Sequence, residues 1–243
     1  MRNNHKTETV NLIIGRNPVK EALRANRVLK VFITNNFSDK DINLLLQEKK
    51  PYIKVVNQAE LDSKSNGGVH QGIVAEIKPY EYIDLDEILR RSRKVELPVI
   101  VILDGIEDPH NLGAILRSCD VFNVTGVLIP KHNQVPLNAT VAKSSAGAIN
   151  YVPVCQIGSI NQTLQRLKDN GFWVVSTDGS ATIDYSKLTY DFPVALVIGS
   201  EGKGVSQLVI KNSDYVVKIP QYGHVNSLNA SVAAGILLSR IHS

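Results

Sequence analysis

Three short stretches of the chain gather side chains able to do chemistry. The first is Leu103-Asp-Gly-Ile-Glu-Asp-Pro-His-Asn-Leu-Gly-Ala-Ile-Leu-Arg-Ser118. Asp108-Pro109 can cap a helix that carries Asn111 on its first turn and Arg117 six residues on. Six helical residues turn through about 600°, or 240° net, so the two are not stacked neighbours. Arg117 interrupts an apolar helix, Leu112-Gly-Ala-Ile-Leu116. It lies either at a helix edge or facing a site. The second stretch, Val197-Ile-Gly-Ser-Glu-Gly-Lys-Gly-Val-Ser206, reads as strand, glycine-rich turn and helix. Its glycines permit a tight backbone and close approach of a ligand. No Lys-Ser/Thr pair follows Gly204, and the glycine spacing is G-x-x-G-x-G. Neither a Walker phosphate loop nor a dinucleotide fingerprint fits, and a turn without a ligand remains open. The third stretch is Ile219-Pro-Gln-Tyr-Gly-His-Val-Asn-Ser-Leu-Asn-Ala-Ser-Val-Ala233. Asn226, Ser227 and Asn229 cluster at a helix start, where such residues cap. Capping and tight packing explain the small residues, but not three amide or hydroxyl side chains within four positions.

Alternating strands and helices must position these groups. Residues 99–103 are wholly apolar, as in a strand buried on both faces of a parallel sheet. A helix is expected over 109–122, followed by strands at 126–129, 152–155, 172–176, 194–198 and 215–219. Helices are expected around 140–145, 160–169 and 205–212, with a final helix from Ser227. This alternation predicts a parallel α/β sheet with helices on both faces. Ahead of it, strands at 12–14, 28–34, 53–56 and 72–77 alternate with helices. The first of these is expected to be capped by Asn17 with Pro18 at its first position; others span 39–49 and 58–63. The layout is a small α/β domain over 1–78, a charged connector over 79–97 holding a short helix near 85–91, and a larger domain over 98–243.

Charge follows the same division. The net charge is +4. Residues 1–78 carry 13 Lys/Arg against 8 Asp/Glu, whereas residues 98–243 carry 10 of each. A basic module beside a neutral one fits an anionic macromolecule held by the first and processed by the second, or simply a solvated basic surface. No run approaches the roughly 18 apolar residues of a membrane span, and the polar N-terminus lacks a signal-peptide core, so a cytoplasmic protein is expected. Cys119 and Cys155 form no CxxC pair and the six histidines are scattered. Two buried free thiols and no metal site are therefore expected.

In this order and at these separations, Asn111 to Arg117, Ile198 to Val205 and Ile219 to Val232 resemble the three motifs of the SPOUT methyltransferases, specifically the TrmH-like RNA 2′-O-ribose methyltransferases. Ile14-Gly-Arg-Asn-Pro-Val-Lys-Glu-Ala-Leu23 and Gly68-Val-His-Gln-Gly-Ile-Val74 resemble the substrate-binding domain of the RlmB-like branch. The resemblance covers nearly the whole chain. It implies a C-terminal SPOUT domain with a deep trefoil knot, a bent S-adenosylmethionine held by two loops of that knot, and a homodimer with both sites at the subunit interface. It also implies an N-terminal RNA-binding domain and, as substrate, a guanosine ribose in large-subunit (23S) ribosomal RNA. Transfer RNA as substrate and a non-catalytic RNA-binding protein are the alternatives. Under the resemblance, Gly199, Ile219 and Leu228 hold the cofactor, and Glu201 either orients Arg117 or touches the cofactor. Asn111, Asn226, Ser227 and Asn229 face the target nucleotide or Arg117. Arg117 is cast as essential for turnover. A guanidinium is a poor base near neutral pH, and is better suited to stabilising a developing alkoxide or gripping a phosphate.

Overall fold

The computed structural model describes residues 11–224 and 227–243. Its contacts divide the chain into two units, one ending at Tyr80 and the other running from Glu81 to Ser243. The first unit holds β1 (Asn11–Ile14), α1 (Arg16–Arg24), β2 (Val28–Thr34), α2 (Lys40–Lys49), β3 (Tyr52–Val56), α3 (Gln58–Lys64) and β4 (Ile73–Ile77). The strands form one mixed sheet in the order β1-β4-β2-β3, in which β3 is an edge strand parallel to β2. Asp39 caps α2 by accepting from the Ile42 amide, and Asn57 caps α3 by accepting from Glu60. The start of α1 differs from expectation. It begins at Arg16, so Pro18 occupies its third position rather than its first. Proline is tolerated there because the first four helical N–H groups lack intrahelical partners in any case.

The second unit comprises α4 (Leu85–Ser92), β5 (Val99–Asp104), α5 (Pro109–Val121), β6 (Gly126–Pro130), α6 (Ala139–Ser144), β7 (Val154–Ile157), α7 (Ile160–Lys168), β8 (Trp173–Thr177), β9 (Ile183–Asp184), β10 (Val194–Gly199), α8 (Gln207–Lys211), β11 (Tyr215–Lys218) and α9 (Ala230–Ile241). Its sheet runs β7-β6-β5-β10-β8-β11-β9, and all six pairings are parallel. A parallel sheet covered by helices on both faces buries its strands, which explains the apolar runs 99–103 and 194–198. Ile100, Ile102, Val174, Ala195 and Val197 pack in one cluster with Leu164 and Leu167 of α7 and Val209 of α8. Ile88 and Leu89 of α4 join that same cluster, so the segment expected to be a connector contributes a helix to this core. Elsewhere in the unit α5 packs between α6 and α9. The short strand β9 at the sheet edge has no sequence signal, because two residues are too few to show alternation.

The sheet order places the functional end. From β5 the chain builds outward through β6 and β7; β8 then lies on the other side of β5, and β10 enters between them. This is a topological switch point, and ligands of open α/β sheets bind outside the carboxyl ends of the strands at such points. Gly199 ends β10 level with Asp104 at the end of β5, and the end of β11 pairs with β8 at Thr177. The first and second sequence clusters therefore leave the sheet side by side, with the third following from β11.

Candidate active site

The turn after β10 owes its shape to Gly199. A Cβ there would lie 2.1 Å from the Gly204 carbonyl carbon and 2.3 Å from the Val205 nitrogen. Only hydrogen fits, so the backbone can double back on itself. The Gly204 amide donates to the Ser200 carbonyl at 2.9 Å and closes the loop, and Gly204 adopts φ +66°, a left-handed conformation suited to glycine. Asp104 of β5 accepts from the Ser206 amide at 2.9 Å and ties the far side of the loop to the sheet.

Two clefts lie on either side of this loop. One, of about 340 Å³, is lined by Gly199 to Gly204, by the ends of β8 and β11, and by Ile219, Ser227, Leu228, Ala230 and Ala233. Its walls mix apolar side chains with exposed backbone, as small-molecule sites do. Asp178 stands at its margin. Its carboxyl accepts from the Ser180 hydroxyl and amide, and these bonds hold it below the usual carboxylate range. The other cleft, of about 740 Å³, is lined by residues 104–108, Asn111, Asn133 and residues 200–207.

At the boundary between the clefts three residues distant in sequence meet. Asn111 sits on the first turn of α5, whose start is set by Pro109 at the first position and by Asp108 accepting from the His110 amide at 2.8 Å. The Asn111 side chain donates Nδ2–H to Glu201 Oε1 at 2.9 Å, and its Oδ1 accepts from Asn229 Nδ2, also at 2.9 Å. Asn229 Nδ2 donates to Glu201 Oε1 as well. The Asn229 Oδ1 caps α9, accepting from the Ser231 amide at 2.9 Å and the Ser231 hydroxyl at 2.6 Å. One asparagine thus starts the last helix and binds the other two motifs together.

The expected residues sort clearly. Gly199, Ile219, Leu228 and Ser227 share the smaller cleft. Asn111, Glu201 and Asn229 form the hydrogen-bonded triangle. The final helix starts at Ala230 rather than Ser227, because Asn229 takes the capping position; Asn226 lies outside the described residues. Arg117 is not brought to the triangle within this chain. It is exposed on α5 and lines neither cleft, in keeping with the 240° that separates it from Asn111. Glu201 therefore engages the two asparagines and borders the smaller cleft, and Arg117 is not its partner here. Asp104, Thr177, Asp178 and Gly179 were not anticipated. Their signal was their place just past the apolar strands, at the carboxyl edge of a parallel sheet.

Comparison with known proteins agrees with this geometry. Residues 98–239 match the model of the SpoU rRNA Methylase family, and residues 12–83 match RNA 2′-O ribose methyltransferase substrate binding. The chain belongs to the SpoU rRNA methylase family. It is accordingly an RNA 2′-O-ribose methyltransferase dependent on S-adenosylmethionine. The methylase is 45% identical over 235 residues to a Staphylococcus aureus (strain MSSA476) protein named as a TrmH family tRNA/rRNA methyltransferase, covering 95% of this chain and 94% of that one. A Staphylococcus haemolyticus protein of the same name is 44% identical over 236 residues, again covering 95% and 94%. In fold the methylase resembles the SpoU methyltransferase AviRb from Streptomyces viridochromogenes, solved with AdoMet. That likeness has a TM-score of 0.81 at 24% identity, over 96% of this chain and 89% of AviRb. Cys119 and Cys155 are buried free thiols, and burial pushes both thiols up. Among the described residues no helix is long and apolar enough to cross a membrane, and no cluster of His, Cys, Asp and Glu could hold a metal ion.

Proposed function

We propose that this enzyme methylates the ribose 2′-hydroxyl of a guanosine in large-subunit (23S) ribosomal RNA, acting as a cytoplasmic homodimer. The observation that carries the reading is the shared wall. The Ser200–Gly204 loop divides a cleft of cofactor size from a larger one, with Asn111, Glu201 and Asn229 on the border. A reaction between two bound molecules requires such adjacency, because positioning donor and acceptor removes much of the entropic barrier.

S-adenosylmethionine supplies a methyl carbon on a positively charged sulfur. The smaller cleft fits it: Ile219 and Leu228 offer apolar contact, and the glycine-rich turn from Gly199 to Gly204 lines it with backbone groups. Asn111 and Asn229 hold the Glu201 carboxylate in one orientation at the border. From there it is placed to accept a hydrogen bond from an incoming hydroxyl. Ser227 adds a hydroxyl on the cofactor side.

Arg117 fits the reading through a second subunit. It is exposed, and among the described residues its side chain makes no hydrogen bond or ion pair. Val121 on its helix and Val232 on α9 are 71% and 49% exposed. A two-fold pairing through α5 and α9 would cover this apolar surface and carry Arg117 of one copy to the site of the other, where a guanidinium can stabilise the developing alkoxide. The trefoil knot implied by the family resemblance belongs to the same reading, and the late entry of β10 between β5 and β8 is consistent with it.

Ribosomal RNA is favoured over transfer RNA by the separate basic N-terminal unit that matches the substrate-binding model. The test is methylation of purified 23S ribosomal RNA and bulk transfer RNA by the enzyme with labelled cofactor, followed by nucleoside analysis. Label in 2′-O-methylguanosine from 23S RNA supports the proposal. Label confined to transfer RNA, or to another nucleoside, overturns the substrate assignment.

A further inference from the structure

The N-terminal sheet leaves half of one face open. Lys30 pairs in register with Tyr52, and Phe32 with Lys54, so these four side chains share a face of β2 and β3. The short helix α3 covers the other half, where Leu61 packs with Phe32, Val56 and Val74. Beyond its edge Tyr52 is 64% exposed, whereas Phe32 is 4% exposed. Cations surround these rings. The Lys30 Nζ lies 5.0 Å from the centroids of both Phe32 and Tyr52, and the Lys64 Nζ lies 4.3 Å from that of Phe32. Lys54 pairs with Glu60 at 2.9 Å. The Glu60 carboxyl is held below the usual range first by Lys54, with Lys64 and Lys30 adding to the effect, so three ammonium groups surround one carboxylate. Glu76 of β4 lies across from Lys30 and offsets part of this charge. Among the described residues neither Lys30 nor Lys64 has a carboxylate partner within ion-pair distance.

We propose that this open half-face is a stacking platform for an unpaired nucleotide of the RNA substrate, with the base on Tyr52 and the neighbouring phosphates near Lys30, Lys54 and Lys64. The proposal rests on the RNA reading above and adds where and in what form the RNA is held. An exposed aromatic ring on a sheet, ringed by lysines, matches the chemistry of single-stranded RNA, whose unstacked bases have free faces. Duplex RNA keeps its bases stacked and would not engage Tyr52. The platform lies in the N-terminal unit, outside the two clefts, and serves to grip rather than to react.

The experiment uses the full-length protein and fluorescein-labelled 12-nucleotide RNA, single-stranded or annealed to its complement, read by anisotropy. Tyr52→Ala is expected to weaken single-strand binding about tenfold. Tyr52→Phe should stay within about twofold, since the ring is kept. Duplex affinity and S-adenosylhomocysteine affinity should not change in either variant. Lys30→Gln should lower the slope of log affinity against log salt by about 0.7, and Glu76→Gln should tighten binding. If the wild type binds single strands and Tyr52→Ala binds them equally well, the platform is refuted while the methyltransferase reading stands. If the wild type binds neither form, the platform is refuted, and label transfer to ribosomal RNA decides the substrate reading separately. If Tyr52→Ala instead changes the mass in solution and leaves RNA affinity intact, the surface pairs with a second copy and the proposal is overturned.

Discussion

Replacing Gly199 with alanine is the sharpest perturbation of the loop after β10. The added methyl would sit 2.1 Å from the Gly204 carbonyl carbon, 2.2 Å from its oxygen and 2.3 Å from the Val205 nitrogen, whereas ordinary contact begins at 3.4 Å. All three are backbone atoms, so no side chain can swing aside, and the loop itself must retreat by about 1.3 Å. Overpacking of this kind costs about 1–3 kcal/mol. If the strain is relieved by opening the Ser200–Gly204 closure, the wall of the smaller cleft moves and cofactor affinity falls by about 5- to 150-fold. If the loop stays shut, the same cost appears as lost stability. Calorimetric titration with S-adenosylhomocysteine and thermal unfolding together capture both outcomes. Two substitutions in the same loop calibrate the result. At Gly204 a Cβ meets open space but φ is +66°, so alanine there costs about 1–2 kcal/mol. At Gly202 nothing lies within 4 Å, and alanine should change stability by less than about 0.5 kcal/mol. A Gly199→Ala protein with wild-type affinity and wild-type stability would contradict this packing of the turn, as would Gly202→Ala proving the most damaging of the three.

Other substitutions test the rest of the site. Arg117→Ala should abolish methylation while S-adenosylhomocysteine binding persists, since Arg117 lines neither cleft. Mixing it with inactive Glu201→Ala should restore activity in about a quarter of the sites if Arg117 acts across a two-fold interface; no recovery on mixing would place Arg117 in its own subunit's site. Asn229→Ala removes the α9 cap and should cost about 1 kcal/mol in a denaturant titration, together with a fall in turnover as Glu201 loses a donor. Asp178 is held below the ordinary carboxyl pKa of about 3.9, so its two bonds from Ser180 stabilise the fold at neutral pH and are lost only as pH falls through the lowered value. Ser180→Ala should move the onset of acid unfolding to higher pH, and an unchanged acid limb would contradict this assignment. Both cysteines should resist a thiol reagent in the native state and react on unfolding.

The strands were the most legible part of the sequence, and the reason is burial. Residues 99–103 and 194–198 are apolar throughout because a parallel sheet covered on both faces leaves no solvent side to mark with polar residues. Helix starts were less legible. Asn17 has the right chemistry for a cap, but Gly15 takes that place at α1; at the last helix the sequence offers Asn226, Ser227 and Asn229, and Asn229 is the one that caps. The triangle of Asn111, Glu201 and Asn229 could be assembled beforehand only through family resemblance, since 90 and 28 residues separate its members along the chain. Only the insertion of β10 beside β5 brings them together. The position of Arg117 was half legible. Helical geometry excludes stacking on Asn111, while the surface proposed to use it belongs to a second copy of the chain, which no local window can show. Asp178 and Asp104 went unnoticed because a lone aspartate after a strand looks like any turn residue until the strand order is known.

We propose that the loop after β10 joins a methyl-donor cleft to an RNA-acceptor cleft. The most direct test is to incubate the purified enzyme with 23S ribosomal RNA and methyl-labelled S-adenosylmethionine, then hydrolyse the RNA in alkali. Methylation of a 2′-oxygen blocks cleavage at that nucleotide, so the account predicts label in an alkali-resistant dinucleotide, absent with Arg117→Ala. Label recovered entirely in mononucleotides would place the methyl group on a base and contradict the account.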